Sequence, residues 1–173
     1  MNYFAIILAL ALCLGTSSAS IRETGIPKVL DVPPGYEQYE CADGVGQQIY
    51  SWDKSEWVLQ EPFAVLFPQE KKKDKSRKAD KKPIGIHYDG PAWQWNDGRK
   101  IEAQGIIAQV TVDENAVNWL LVEALNDAGK TEYIQRLETQ GGLAPDSKDQ
   151  KRDIILVPYS ALYCFYRMSD EKK

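Results

Sequence analysis

Two hydrophobic patterns divide this chain near residue 20. Residues 3–14 form an unbroken apolar run, and small residues follow it up to Ser20. Between residues 37 and 167, short runs rich in Val, Ile, Tyr, Phe and Trp alternate with turn-forming residues. The spacing of about eight to twelve residues between turns is typical of an all-β domain.

The N-terminal run predicts a secretory signal peptide over residues 1–20. Its apolar core of about 12 residues is shorter than the roughly 20 needed to cross a bilayer, and the small residues after it suit a signal peptidase. A buried N-terminal helix is the alternative, but such a helix carries a polar face and this run has none. We therefore expect a secreted, extracellular protein without a transmembrane segment, in which residues 21–173 form a single β domain.

The remaining pattern predicts an antiparallel barrel or sandwich of about 9–11 short strands, because a sheet with little helix to cover it must close or stack. Turns are expected at residues 43–46, 96–98 and 126–129, where Asn, Asp and Gly cluster. Residues 114–126 are a helix candidate. The apolar run WLLV at residues 119–122 leaves this segment without a clean polar face, so a buried strand is preferred. The predicted strands are 37–42, 47–52, 57–60, 64–67, 84–88, 92–95, 101–112, 119–124, 133–137, 154–157 and 160–167.

Charge is unevenly distributed along the chain. The net charge is −4, yet residues 70–82 hold eight of the 21 Lys and Arg residues and only three of the 25 acidic ones. We expect residues 69–83 to be a solvated basic loop insertion, since the segment has no large apolar side chain to bury. It also offers attachment to an anionic surface. Nucleic acid is not an expected partner, because no aromatic residue interrupts the run to stack on bases. The basic side chains are Lys71, Lys72, Lys73, Lys75, Arg77, Lys78, Lys81 and Lys82.

The cysteines and the single histidine limit the chemistry. Cys13 leaves with the signal peptide, so Cys41 and Cys164 remain, and in an oxidising compartment they suggest one disulfide. Two buried free thiols are the alternative. His87 is the only histidine, so a multi-histidine metal site cannot form within one chain, and we expect no metal and no other cofactor.

The densest cluster of functional side chains surrounds His87. Strand alternation places His87 on the face opposite Tyr88, and Trp93 and Trp95 share one face of the following strand. The histidine and the two indoles are therefore expected to converge on one concavity.

A second polar cluster interrupts the apolar strand at residues 133–137. The polar residues are Gln135 and Arg136. The guanidinium group of Arg136 offers a planar fork suited to a carboxylate or a sulfate. The alternative is structural, with His87 and Arg136 satisfied inside the protein. Together the two clusters give the candidate ligand-binding residues His87, Tyr88, Trp93, Trp95, Gln135 and Arg136.

Several motifs occur in an order that resembles one family. They are VPPG at 32–35, QIY at 48–50, IHYDGPAW at 86–93, YIQRL at 133–137, GGLAP at 141–145 and VPY at 157–159. This succession resembles the secreted family of bacteria and fungi catalogued as domain of unknown function 3455. The resemblance implies a single β-rich secreted domain and brings no established activity. Fungal members are often labelled malate dehydrogenase, but this chain has neither a dinucleotide-binding fingerprint nor alternating strands and helices.

Three functions remain open. We expect a secreted domain that binds a carbohydrate, a small organic ligand or an anionic surface without catalysis. An extracellular enzyme is the first alternative: a hydrolase or lyase with His87 as general base and Arg136 holding an oxyanion, or an antioxidant-type redox protein. A structural or matrix protein without a pocket is the second alternative.

Overall fold

The computed structural model describes residues 25–69, 81–125, 131–146 and 152–170. Within these ranges each strand pairs antiparallel with the next, and the last pairs with the first, so that one eight-stranded sheet closes into a barrel. This confirms the all-β prediction and selects the barrel over the sandwich. The elements are a short 3-10 helix (Lys28–Leu30), β1 (Tyr36–Asp53), β2 (Glu56–Pro68), β3 (Gly85–Tyr88), β4 (Ala92–Trp95), β5 (Lys100–Val110), β6 (Trp119–Leu125), β7 (Tyr133–Gly141) and β8 (Ile154–Met168).

The strands are fewer and longer than predicted because three expected interruptions lie inside strands. The turn predicted at residues 43–46 is wrong, since β1 continues through it. Gly46 is needed there for close approach of the backbones, because a Cβ would overlap the carbonyl oxygen of Phe63 on β2. Pro62 and Pro158 likewise lie within β2 and β8. Pro62 lies close to a bulge in the β1–β2 ladder, where a missing N–H is tolerated.

The remaining predictions concern two turns and the segment that is also a helix candidate. The turn at residues 96–98 is confirmed: it joins β4 to β5, and Gly98 adopts a φ of +91°. Within residues 114–126 a strand is preferred over a helix, and this is confirmed by β6, which begins at Trp119. The turn predicted at residues 126–129 lies outside the described residues.

The up-and-down order of the strands assigns every connection to one of two ends. We call the end that carries the β1–β2, β3–β4, β5–β6 and β7–β8 connections the upper end, and the opposite one the lower end. The basic insertion joins β2 to β3 and therefore belongs to the lower end. Of its basic side chains only Lys81 and Lys82 are described, and Lys81 Nζ donates to Asp43 Oδ2 at 3.2 Å.

Alternation along the strands directs one set of side chains into the barrel and the other set outwards. The lower half of the interior is a packed apolar core that includes Trp95, Ile101, Ala124 and Phe165. The Phe165 ring lies edge-on to the rings of Trp93 and Trp95, at centroid distances of 5.9 and 4.9 Å. This core fixes the barrel at its lower half.

A second apolar cluster lies outside the barrel, beneath the N-terminal segment. Leu30 is fully buried there, and its carbonyl oxygen accepts a hydrogen bond of 2.6 Å from Gln135 Nε2. The disulfide between Cys41 and Cys164 belongs to the same layer and joins directly opposed residues of β1 and β8. It confirms the predicted disulfide, which links the two strands that close the barrel.

The disulfide also bears on the predicted export of the protein. Disulfides are typical of oxidising compartments, so this one is consistent with secretion. The predicted signal peptide at residues 1–20 lies outside the described part of the chain. No helix within the described ranges has the length and apolar character needed to span a membrane.

Candidate functional site

A cavity of about 460 Å³ occupies the upper half of the barrel. Eight-stranded barrels are wide enough to be filled by side chains or to hold one small ligand. Here the lower half is filled and the upper half keeps space. The inner wall includes Gln48, His87, Trp93, Arg136 and Tyr163. Exposed apolar side chains at the mouth are Leu59, Ile106 and Leu143.

The structure brings His87, Trp93 and Arg136 together in this cavity and places the other three candidates elsewhere. The Tyr88 hydroxyl, outside the barrel, donates to Gln94 Oε1 at 3.3 Å. Trp95 lies inside but in the lower half, where its Nε1 donates to Glu40 Oε1 at 3.1 Å. Gln135 faces outwards, beneath the N-terminal segment. The ligand-binding role of the three residues in the cavity stays a prediction.

His87 lies near the upper end of β3 and is almost completely buried. Its ring stacks on Trp93 with centroids 4.7 Å apart and an angle of 17° between the planes. The Nδ1 atom is 2.9 Å from the carbonyl oxygen of Ala92, and because a carbonyl only accepts, Nδ1 carries the proton. The Nε2 atom therefore presents a lone pair, and it forms no hydrogen bond to any described residue.

Burial lowers the pKa of His87 to about 4, against the opposing effect of the Ala92 hydrogen bond and with a further lowering by the charge of Arg136. The imidazole is therefore neutral at pH 7. An ideal general base has a pKa near the working pH. The lowered pKa of His87 therefore gives little support to a role as the general base of an enzyme.

Arg136 reaches from β7 into the cavity and is largely buried. Its Nε and Nη2 atoms donate to the backbone carbonyl of Asn118 at 3.1 and 2.8 Å. Within the described ranges, no carboxylate lies at ion-pair distance from the guanidinium group and Nη1 forms no hydrogen bond. Burial lowers the pKa of Arg136, and the neighbouring phenols of Tyr163 and Tyr159 oppose that shift. The guanidinium group still stays charged at neutral pH.

The alternative in which the protein itself satisfies His87 and Arg136 holds only in part. His87 and Arg136 both bind backbone carbonyls, as that alternative expects. Each nevertheless keeps one nitrogen without a partner among the described residues. These two nitrogens are available to a ligand in the cavity.

Sequence reasoning missed Gln48, which extends from β1 into the same cavity. The residue is buried, and within the described ranges neither its Oε1 atom nor the buried Nε1 of Trp93 has a hydrogen-bond partner. Buried polar atoms in proteins are nearly always hydrogen-bonded, so two such atoms in one cavity wall need an explanation. The signal in the sequence was a glutamine at an inward position of β1. The turn wrongly placed at residues 43–46 hid that register.

Of three buried tyrosines that sequence reasoning did not select either, Tyr163 lines the cavity, and Tyr50 and Tyr159 lie behind its wall. The Tyr50 hydroxyl donates to the carbonyl oxygen of Gly142 at 2.6 Å, and the hydroxyls of Tyr159 and Tyr163 are 3.1 Å apart. Burial raises the pKa of all three phenols, so they are neutral at pH 7. Gly142 has a φ of +85°, and a Cβ there would lie 2.9 Å from the Cβ of Tyr159. The double glycine at residues 141–142 thus shapes the upper end.

The described part of the chain brings together no group of three or more His, Cys, Asp or Glu side chains that could hold a metal ion. The lining of the cavity instead includes the guanidinium group of Arg136, the imidazole of His87, the indole of Trp93, the phenol of Tyr163 and several side-chain amides, with the carboxylate of Asp89 exposed at the mouth. This arrangement suits the binding of an organic molecule by hydrogen bonds, ring contacts and one charge.

Comparison with known proteins gives a family and no activity. No curated protein and no solved structure is significantly similar to the chain. The family model described as "Protein of unknown function (DUF3455)" matches residues 25–167 and so extends from the N-terminal segment into β8. The resemblance inferred from the motifs is confirmed, and the chain belongs to the DUF3455 family.

Proposed function

We propose that this protein is a binding domain that takes a small organic molecule into the upper half of its barrel without altering it chemically. The observation that carries the proposal is a pair of buried polar atoms in the wall of a cavity of about 460 Å³, Gln48 Oε1 and Trp93 Nε1, to which no described residue forms a hydrogen bond. A buried polar group without a hydrogen bond destabilises the folded state by about 1–3 kcal/mol, and a ligand that binds it removes that penalty.

The size and position of the cavity support the same proposal. Ligand pockets usually measure about 300–1,000 Å³ and combine apolar walls with a few polar groups that orient the ligand. This cavity has walls of that composition, and its exposed mouth gives access from solvent. We further infer that the protein acts outside the cytosol, which its disulfide supports.

Surface attachment through the basic insertion is a separate proposal. The insertion connects β2 to β3, whose joined ends lie at the lower end of the barrel, whereas the cavity lies in the upper half. Surface attachment and ligand binding would therefore use different parts of the chain.

A neutral fluorescent probe tests the binding function. N-phenyl-1-naphthylamine brightens in apolar surroundings, and we expect the protein to bind about one equivalent. Val117 lines the cavity at the upper end, so Val117→Trp should fill space and weaken probe binding at least ten-fold. Fluorescence titration measures both affinities.

The matched control lies in the same β5–β6 connection. Val112 is exposed and does not line the cavity, so Val112→Trp should leave the probe affinity unchanged. Equal weakening by both substitutions, or a wild-type protein that binds no probe, would contradict the proposed function.

A further inference from the structure

We propose that the ligand of this cavity is a monoanionic organic acid, a carboxylate with an apolar body. This inference rests on the binding function proposed above and adds the chemical class of the ligand. It is carried by the charge of Arg136, by the surplus of hydrogen-bond donors around it and by the apolar mouth.

The charge of Arg136 defines the polar end of the ligand. A buried ionised group is strongly unfavourable unless an opposite charge or several hydrogen bonds compensate it. One backbone carbonyl accepts two of the guanidinium N–H groups, and among the described residues no carboxylate pairs with them. Asp89 is the acidic residue in the cavity lining, and it lies exposed at the mouth. A single ligand carboxylate would neutralise the charge of the part-buried Arg136, whereas a dianion would leave excess negative charge.

The hydrogen-bonding groups of the wall favour an anion for a second reason. Arg136 Nη1 and Trp93 Nε1 are donors without partners within the described ranges. The hydroxyl of Tyr163, which lines the cavity, shares one hydrogen bond with that of Tyr159 behind it, so among the described residues one of the two hydroxyl protons is left to donate. The imidazole of His87 is neutral and Gln48 is an amide, so neither adds a negative charge that would repel a carboxylate.

The mouth of the cavity defines the rest of the ligand. Leu59, Ile106 and Leu143 are each at least 43% exposed and surround the opening. Deeper in the wall, Ile134 and the stacked ring of Trp93 continue the apolar surface. A hydrocarbon or aromatic body would cover these groups and bury surface that now faces solvent.

Acids and their own amides separate the charge from the shape of the ligand. We would displace bound N-phenyl-1-naphthylamine with 3-phenylpropionate or hexanoate, and with the neutral 3-phenylpropionamide or hexanamide. Each acid should compete at least ten-fold better than its amide. Because the acid and amide have nearly the same shape, this wild-type comparison requires no variant.

A pair of arginine variants assigns the effect to one residue. Arg136→Gln should reduce the preference for acid over amide to less than two-fold while the neutral probe still binds, and Arg136→Lys should keep part of it. Arg99→Gln is the matched control, since Arg99 lies at the lower end and pairs with Glu40 and Asp97. It should keep the full preference.

The outcomes distinguish this inference from the function on which it rests. Probe binding with equal competition by acids and amides would overturn the carboxylate and leave a site for neutral organic molecules. Acid preference that survives Arg136→Gln would overturn the role of this guanidinium group. A wild-type protein that binds neither probe nor acid would remove the binding function itself.

Discussion

Each half of the barrel interior contains a tryptophan, an arginine lies at the same end of the barrel as each of them, and the two pairs differ in their partners. In the lower half, Trp95 Nε1 donates to Glu40 and the guanidinium group of Arg99 lies 4.8 Å from the Trp95 ring and binds the same carboxylate. In the upper half, Trp93 Nε1 has no partner and Arg136 faces no carboxylate among the described residues. The same residue types are satisfied at one end and left open at the other.

This difference separates the part of the interior that holds the fold from the part that is available for function. Glu40 supplies the negative charge in the lower half, whereas in the upper half the described carboxylate of the cavity lining, Asp89, is exposed at the mouth and forms no ion pair with Arg136. Sequences usually satisfy buried polar groups, and exceptions concentrate at functional sites. The lower half should therefore respond to substitution as a core, and the upper half should tolerate apolar replacement.

The largest effect is expected from truncation in the lower half. Phe165→Ala removes a fully buried ring that contacts two tryptophans and should lower the free energy of unfolding by about 3–5 kcal/mol. Phe63→Ala is the matched control, because Phe63 is exposed on the outer surface of the same barrel. It should change stability by less than about 1 kcal/mol. Similar losses for both, measured by urea unfolding, would show that the lower half is not the core.

An intermediate effect is expected from the titration of His87 in the upper half. Its pKa of about 4 in the folded protein lies below the value of about 6.5 expected when unfolded, so the unfolded state binds more protons between these values. His87 thus has no destabilising effect above pH 6.5 and lowers stability as the pH falls towards 4.

The substitution His87→Asn isolates this contribution, because the amide can still donate to the carbonyl of Ala92. Between pH 7.5 and 4.5 the wild-type protein should lose about 2–3 kcal/mol more of its free energy of unfolding than the variant. Urea unfolding at both pH values measures the difference. Parallel losses in the two proteins would show that the imidazole is not held neutral by burial.

The smallest effect is expected from a substitution in the upper half that should raise stability, whereas truncation in the lower half lowers it. Gln48→Leu replaces a buried amide without hydrogen bonds by an apolar side chain of similar size, and should increase the free energy of unfolding by about 1 kcal/mol. Gln47→Leu is the control on the same strand, since Gln47 is exposed, and should change it by less than about 0.5 kcal/mol. A loss of stability in Gln48→Leu would mean that the amide is satisfied in solution.

The fold could be predicted from the sequence because it depends on a local alternation. Inward and outward positions repeat every two residues, so the strands, their antiparallel order and the closed or stacked sheet followed from the pattern. Strand length did not follow, because glycine and proline were interpreted as interruptions. Gly46 serves instead for close contact between β1 and β2, which depends on a partner distant in sequence.

The candidate site could be predicted only in part, because alternation gives the face of a residue but not its height in the barrel. Trp95 shares a face with Trp93, yet two residues along a strand shift it by about 6–7 Å, into the lower half. Gln135 and Arg136 are neighbours in β7, so their side chains point to opposite faces. Gln48 required the register of β1 across the barrel. That no carboxylate pairs with Arg136 among the described residues is a three-dimensional fact that no local pattern contains.

The disulfide at the seam of the barrel has one further consequence. Because it joins residues 123 positions apart in the first and last strands, nearly the whole barrel lies inside one covalent ring. A protease that cuts the peptide chain once within this ring, for example in the lysine-rich insertion, opens a loop but releases no fragment. Two polypeptides would separate only after reduction. A protein with this disulfide can therefore be cut once between Cys41 and Cys164 and still remain a single molecule.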